Sequence, residues 1–332
     1  MGNNGNALNM EFRPSLLVRN THVQSLLTSL RWSIRGKEAR LAKSAEIVVS
    51  TSSGSRLQAL FIQHPEPKGL VLLMHGWEGS AFSTYMIDAT DFYYRLGFSV
   101  CCLNLRDHGE SHHLNEGLFH GALLEETFEA VDFLADLAKG QPAYLIGFSL
   151  GGNYALRIAR RYSDLGFSRF ERVFAVSPPL DPYKATLAID NSFSVYRNYF
   201  LKKWKKSLEI KQRLFPEKYD FSGMLDAKTC MELTEKMMLY YTDFPTLYDY
   251  FEQYTLRDEF FSGLKIPATI FISADDPVIP VEDYDVLSAH ENLYVFRTEY
   301  GGHCGFVDLF PMRRWYNEVI AKTIGARQDC AR

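Results

Sequence analysis

Ala143-Tyr144-Leu145-Ile146-Gly147-Phe148-Ser149-Leu150-Gly151-Gly152-Asn153-Tyr154-Ala155-Leu156 is the stretch that decides the fold of this chain. The four residues before Gly147 read as a short buried strand. Across residues 152–162 the apolar positions Ala155, Leu156, Ile158 and Ala159 recur as they do on one side of an amphipathic helix. Between the two lies G-x-S-x-G, so strand, sharp turn and helix follow in order. A serine on such a turn stands above the end of a sheet, where substrate and a base can reach it. The flanking glycines leave room for strained backbone and for a close approach of helix to strand. The bare pentapeptide also occurs in flexible loops, and its surroundings are what make Ser149 a candidate nucleophile.

Working outward, short β-rich runs at 46–50, 57–63, 70–74, 99–105, 143–146, 173–176, 268–272 and 294–298 alternate with helical patterns at 84–96, 123–138, 152–162 and 312–323. Such alternation predicts a mostly parallel sheet covered by helices on both faces. The first two runs, joined by Ser52-Ser53-Gly54-Ser55, read instead as an antiparallel hairpin. Residues 178–262 break the alternation, being helix-rich, free of a clear strand and crowded with aromatic side chains such as Tyr196, Phe200, Trp204 and Tyr248. An insertion this long inside one domain predicts a structured lid, with most of its aromatics packing it onto the core and some lining an apolar groove. The expected organisation is a disordered stretch at 1–10, a core at 11–177 and 263–332, and a lid at 178–262.

A serine hydroxyl is a poor nucleophile at neutral pH and needs a base within hydrogen-bond reach and a group that orients the base. In this arrangement the chain order is Ser, then Asp or Glu, then His. Ile270-Phe271-Ile272-Ser273-Ala274-Asp275-Asp276-Pro277 is a buried strand running into two carboxylates, and Tyr300-Gly301-Gly302-His303-Cys304-Gly305 presents a histidine in a glycine-rich turn. His303 is the expected base. Asp275 and Asp276 are both candidates for the orienting acid; the pattern of the α/β-hydrolase superfamily, which these motifs resemble, sets the acid three residues after a small residue ending the strand and so favours Asp276, counted from Ser273, with Asp275 left to hydrogen-bond backbone amides. An oxyanion needs two preorganised donors, each worth about 10²- to 10³-fold in rate. The backbone N–H of Leu150, at a helix N-terminus, and that of Trp77, in the His75-Gly76-Trp77 loop after run 70–74, are the candidates. Trp77 is also a candidate pocket wall, and His75 reads as satisfied by backbone groups in its own turn.

A formal net charge of -4 leaves no basic footprint for nucleic acid. The five cysteines fit neither a disulfide framework nor a zinc knuckle. His108, His112, His113 and His120 crowd one loop without matching Cys or carboxylate spacing, so they read as solvated or turn-forming side chains; no metal and no cofactor is expected. No apolar run approaches the ~18 residues of a membrane span. The first ten residues lack the features of a signal peptide, and Asn6 stands where a myristoylation signal needs Ser or Thr. These features predict a soluble cytoplasmic protein. Lys202-Lys203-Trp204-Lys205-Lys206 reads as a solvated helix face, with peripheral contact to an anionic membrane as the alternative.

The chain resembles the α/β-hydrolase superfamily and, within it, the YheT-like branch. Phe12-Arg13-Pro14 followed by Asn20-Thr21-His22-Val23-Gln24-Ser25-Leu26-Leu27 is similar to that branch's N-terminal signature, and Gly147 to Asn153 is similar to its elbow. Ala274-Asp275-Asp276-Pro277 and Gly301-Gly302-His303-Cys304-Gly305-Phe306 resemble its acid and histidine motifs. The likeness spans residues 11–325. It implies an eight-stranded hydrolase sheet, esterase or lipase-like activity, and Ser149, Asp276 and His303 as the triad. Asp107 departs from it, standing where relatives usually have Gly; Asp tolerates a positive φ better than most residues. The resulting expectation is a metal-independent serine carboxylesterase acting on medium-sized acyl esters through an acyl-enzyme. Acyl transfer, or thioester or amide cleavage, on the same triad is the enzymatic alternative, and a non-catalytic small-ligand binder is the alternative from another class. Oligomeric state is left open.

Overall fold

Runs of five or six apolar residues, too short for core helices, become the central strands of one eight-stranded sheet. In chain order these are β1 (Ala45–Ser50), β2 (Arg56–Ile62), β3 (Leu70–Met74), β4 (Ser99–Leu103), β5 (Ala143–Phe148), β6 (Arg172–Val176), β7 (Ala268–Ser273) and β8 (Leu293–Thr298). The computed structural model describes residues 11–28, 34–309 and 312–330, so the expected disorder at 1–10 lies outside the described residues. Strand order is β1-β2-β4-β3-β5-β6-β7-β8. β1 pairs with β2, and β2 with β4, in antiparallel fashion; every later pairing is parallel. β3, β4, β5 and β7 are buried along their whole length, whereas the edge strands β1 and β8 are largely exposed, as a sheet covered on both faces requires of its centre.

The pleat sends alternate side chains of β3 to opposite faces. Leu70, Leu72 and Met74 join one core with the helices Leu124–Ala135 and Leu150–Leu165. Val71 and Leu73 join the other, against Thr84–Arg95 and Trp315–Cys330. No helix among the described residues is long and apolar enough to cross a membrane.

At three of the element boundaries that differ from the sequence reading the reason is local. β4 ends at Leu103: the Asn104 N–H still reaches the Gln58 carbonyl of β2, but the Leu105 N–H turns to the His75 ring. The helix after the elbow starts at Leu150, two residues early, directly on Ser149. The last helix starts at Trp315, because Arg313 and Arg314 first pair with Asp308 and Val307 in a small two-stranded ribbon.

Between β6 and β7 the chain folds into the helices Pro182–Asn191, Ser194–Leu214, Cys230–Tyr241, Leu247–Glu252 and Asp258–Ser262. Asp181, Thr229 and Thr246 cap the first, third and fourth of these through their side-chain oxygens, satisfying N–H groups that a helix start leaves free. The long helix Ser194–Leu214 carries the lysine run, which divides. Lys202 and Lys206 are exposed, whereas Lys203 and Lys205 turn in to the carbonyls of Glu78 (3.0 Å) and Ala227 (2.7 Å), so half of the expected solvated face is engaged with protein. Further along, buried Lys211 reaches Asp107 Oδ1 at 2.8 Å and the Asn115 carbonyl at 2.6 Å. Asp107 has φ +57°, and its second carboxylate oxygen accepts the Phe119 N–H at 3.0 Å. The departure from glycine thus anchors this helix to the core. Truncating one partner of such a buried pair leaves the other charge stranded, at a cost of about 3–5 kcal/mol. Lys211→Ala should therefore lower the unfolding free energy by about that much in urea titration, whereas Lys218→Ala, which removes an exposed partner of Glu116, should change it by less than about 1 kcal/mol.

Candidate active site

Ser149 sits between β5 and the helix Leu150–Leu165 at φ +51°, ψ −121°, a conformation that costs an L-residue about 1–3 kcal/mol. Its surroundings leave no alternative path. A Cβ on Gly147 would lie 2.1 Å from the Gly151 carbonyl oxygen, and one on Gly151 would lie 2.4 Å from that of His75. Strand, turn and helix are therefore locked together and against the end of β3.

The loops after β7 and β8 bring two further side chains to this turn. His303 Nε2 lies 3.0 Å from Ser149 Oγ, and His303 Nδ1 lies 3.0 and 3.2 Å from the two oxygens of Asp276. The Asp276 carboxylate is fully buried, and its Oδ1 also accepts the N–H groups of Val278 (2.8 Å) and Ile279 (3.0 Å). Asp275 points elsewhere. Its Oδ1 accepts the Gly302 N–H at 2.8 Å, and burial raises its pKa. Burial also opposes a charge on His303, but Asp276 and, after it, Cys304 outweigh that effect and lift the imidazole well above its ordinary pKa.

The loop after β3 supplies backbone donors. Gly76 abuts the nucleophile, since a Cβ there would lie 3.0 Å from that of Ser149. The Gly76 carbonyl accepts from His75 Nδ1 (2.7 Å) and from the Gly79 N–H (2.9 Å). Because a trans peptide holds its C=O and N–H on opposite edges, this orients the Trp77 N–H away from both. Among the described residues the hydrogen bonds of this loop employ the N–H groups of Gly76, Glu78 and Gly79, and leave that of Trp77 over. Leu150 opens its helix and so has no intrahelical acceptor for its N–H. His75 is fully buried, which lowers its pKa to about 4, and the Leu105 N–H donates to its Nε2 at 3.1 Å. Its proton is thereby confined to Nδ1, the nitrogen that holds the Gly76 carbonyl.

Of the histidines read as solvated or turn-forming, His113 is exposed, and the structure corrects the solvated reading at two others. His108 and His112 are buried. His108 accepts the Glu78 N–H at Nε2 (3.1 Å) and donates from Nδ1 to the Arg106 carbonyl (2.7 Å), bracing the loops after β3 and β4 against each other. His112 bonds Ser207 Oγ at 2.8 Å, and His120 faces the cavity described below with its pKa lowered to about 4, chiefly by burial. Among the described residues no group of three His, Cys, Asp or Glu side chains is placed to hold a metal ion. Cys101, Cys102, Cys230 and Cys304 are free and buried.

A mostly apolar cavity opens beside Ser149, enclosing about 800 Å³ of space counted to its open mouth. Trp77 and Leu150 border it near the serine; Phe200, Trp204 and Met237 line it from the helices between β6 and β7. The Trp77 indole stacks on Phe200 at 5.4 Å and meets Trp204 edge-on at 5.1 Å. Sequence reasoning singled out the N-terminal Asn20 to Leu27 segment only as a resemblance. In space its helix, Thr21–Leu27, lies against the histidine loop, with Ser25 Oγ accepting the His303 N–H at 3.0 Å. No periodicity connects residues so far apart.

The eight-stranded sheet, antiparallel from β1 to β4 through β2 and parallel beyond, agrees with the fold of known proteins. A family described as having the alpha/beta hydrolase fold matches residues 69–308. Among characterised relatives, mouse phospholipase ABHD3 is 24% identical over 263 residues, covering 76% of this chain and 62% of its own. The Saccharomyces cerevisiae monoacylglycerol lipase is 21% identical over 273 residues, covering 80% and 60%. This chain thus spans about three-fifths of the length of these relatives. The Pyrococcus furiosus esterase Pf2001 superposes with a TM-score of 0.55 at 16% identity, over 86% of this chain and 90% of its own, which is a likeness of fold. The chain is a member of the α/β-hydrolase fold family, matched over the greater part of its length.

Proposed function

We propose that this protein is a serine carboxylesterase that cleaves medium-sized acyl esters through an acyl-enzyme. The reading is carried by the unbroken hydrogen-bonded row from Ser149 Oγ through the His303 ring to the buried Asp276 carboxylate. Asp276 holds the histidine proton on Nδ1 and leaves Nε2 free to take the Ser149 proton as Oγ attacks the ester carbonyl. The developing oxyanion is met by the N–H groups of Trp77 and Leu150, each worth about 10²- to 10³-fold in rate. His303 then returns the proton to the departing alcohol. Water repeats the sequence in reverse and frees the acid. The segment 178–262 serves as the lid, and its aromatic and methionine side chains make the apolar acyl site. The names of the relatives, phospholipase and monoacylglycerol lipase, support an acyl ester as the substrate class over a thioester or amide.

A series of p-nitrophenyl esters of increasing chain length, assayed on wild type and Ser149→Ala, tests this directly. Hydrolysis should peak at intermediate lengths, and Ser149→Ala should lose about 10⁶-fold in kcat together with labelling by a fluorophosphonate. Equal labelling of both proteins would reject Ser149. Silence of the wild type toward all esters, alongside tight ligand binding, would instead favour a non-catalytic binder.

The pH dependence follows from the raised pKa of His303. Its protonated form cannot accept the Ser149 proton, so activity should be lost as pH falls through that pKa, with a midpoint of kcat/KM above the roughly 6.5 of a free imidazole. Asp276→Asn removes the main contribution that raises it. The midpoint should move down, and kcat should fall by about 10⁴-fold as the tautomer is lost.

A further inference from the structure

The N-terminal helix Thr21–Leu27 lies outside the hydrolase sheet, yet it makes a dense set of bonds to the two loops that carry Asp276 and His303. Gln24 is fully buried. Its side-chain nitrogen donates to the carbonyls of Val18 (2.6 Å) and Val307 (2.8 Å), and its side-chain oxygen accepts the Val307 N–H at 2.8 Å. One residue thus pins the helix to the chain just beyond the histidine turn. Thr21 Oγ1 donates to the carbonyl of Asp275, on the acid loop. Ser25 Oγ donates to the Thr21 carbonyl at 2.9 Å and accepts the His303 N–H at 3.0 Å.

The Gly302–His303 peptide is therefore held from both edges. Its N–H rests on Ser25, and its carbonyl accepts from Ser273 Oγ at 3.0 Å. On the other side of His303, the Cys304 N–H rests on Ser177 Oγ at 3.2 Å. All three serines are buried; the bonds of Ser273 and Ser177 are buried with them, and that from His303 to Ser25 is partly buried. Fit is as tight as the bonding. Gly302 has φ +53°, and a Cβ there would lie 2.6 Å from Ser25 Oγ. With the backbone on both sides of His303 fixed, the ring has little left to adjust but its own side-chain torsions.

Building on the esterase reading above, we infer that Ser25 is a positioning residue for the reaction. By fixing the peptide that precedes His303, its hydroxyl sets the reach of Nε2 to Ser149, and the N-terminal helix is a working part of the active site. Loss of this hydroxyl leaves the His303 N–H without its acceptor and lets the turn relax. A displacement of about 1 Å at a reacting group costs on the order of 10² in rate.

The test uses the full chain and p-nitrophenyl esters, with rates expressed per active site titrated by fluorophosphonate, so that unfolded protein is not counted. Ser25→Ala should lower kcat by roughly 10- to 100-fold with KM little changed, and should distort the acid limb of the pH profile. Ser25→Thr, which keeps the hydroxyl, should recover most of the rate. Ser25→Val has the shape of Thr without the acceptor and should behave as Ser25→Ala does; the Thr and Val pair stands in if the alanine protein does not fold. Wild-type kcat per titrated site in the Ala or Val protein, or a Thr protein no better than Val, would overturn the inference and leave the esterase reading intact. A wild type that is not labelled at Ser149 would overturn both.

Discussion

Ser149 occupies a backbone conformation that an isolated peptide avoids, and the rest of the molecule is arranged so that no other is available. The strain is local, on the order of 1–3 kcal/mol, and the packing that enforces it is extensive. β5 is buried along its length between β3 and β6. The helix that follows presses its first turn onto the ends of both β5 and β3. Relaxing the turn would mean moving a helix whose apolar side is part of the main core. The sheet converts a small conformational penalty at one residue into a fixed direction for one hydroxyl.

Around that hydroxyl, neutral buried side chains do much of the orienting. His75 and His108 lie 4.8 Å apart between ring centroids and are wired alike, each accepting a backbone N–H at Nε2 and facing a backbone carbonyl with Nδ1. Burial keeps both uncharged, so each has one donor and one acceptor, and the acceptor's partner decides which nitrogen keeps the proton. Together they brace the loop that carries Trp77. Serines do the corresponding work for the histidine loop. In a site of low polarity such contacts keep their strength, and an unpaired group is expensive.

What could be read in advance followed sequence distance. The elbow is written within about fourteen consecutive residues, so its strand, turn and helix were legible, as was the alternation that makes the parallel sheet. His303 and Asp276 stood out because glycines or a strand end mark their loops. The structure brings both to Ser149 and turns Asp275 toward Gly302. Buried polar connections were not legible. Ser25 and His303 are 278 residues apart, and Asp107 and Lys211 are 104 apart. None of these residues has a periodic pattern to betray it. The histidines of the 108–120 loop were read as solvated or turn-forming because four polar side chains in one short segment usually are. His113 is exposed, whereas His108 and His112 meet their partners only once the loops after β3 and β4 and the long helix are assembled.

The long helix Ser194–Leu214 has one consequence of a mechanical kind. Lys211, near its C-terminal end, is held in the buried ion pair, whereas Tyr196, near the other end, meets His22 through one partly buried hydrogen bond of 3.0 Å. A swing about Lys211 that kept the ion pair would also have to break the bonds of Lys203 to Glu78 and of Lys205 to Ala227. At 1.5 Å of rise per residue, Trp204 sits about 10 Å from that pivot and Tyr196 about 22 Å. The same angle would therefore move the Tyr196 end twice as far as the cavity wall at Trp204. The helix is thus clamped at Lys211 and again at Lys205 and Lys203, and its Tyr196 end is the part farthest from the deepest clamp.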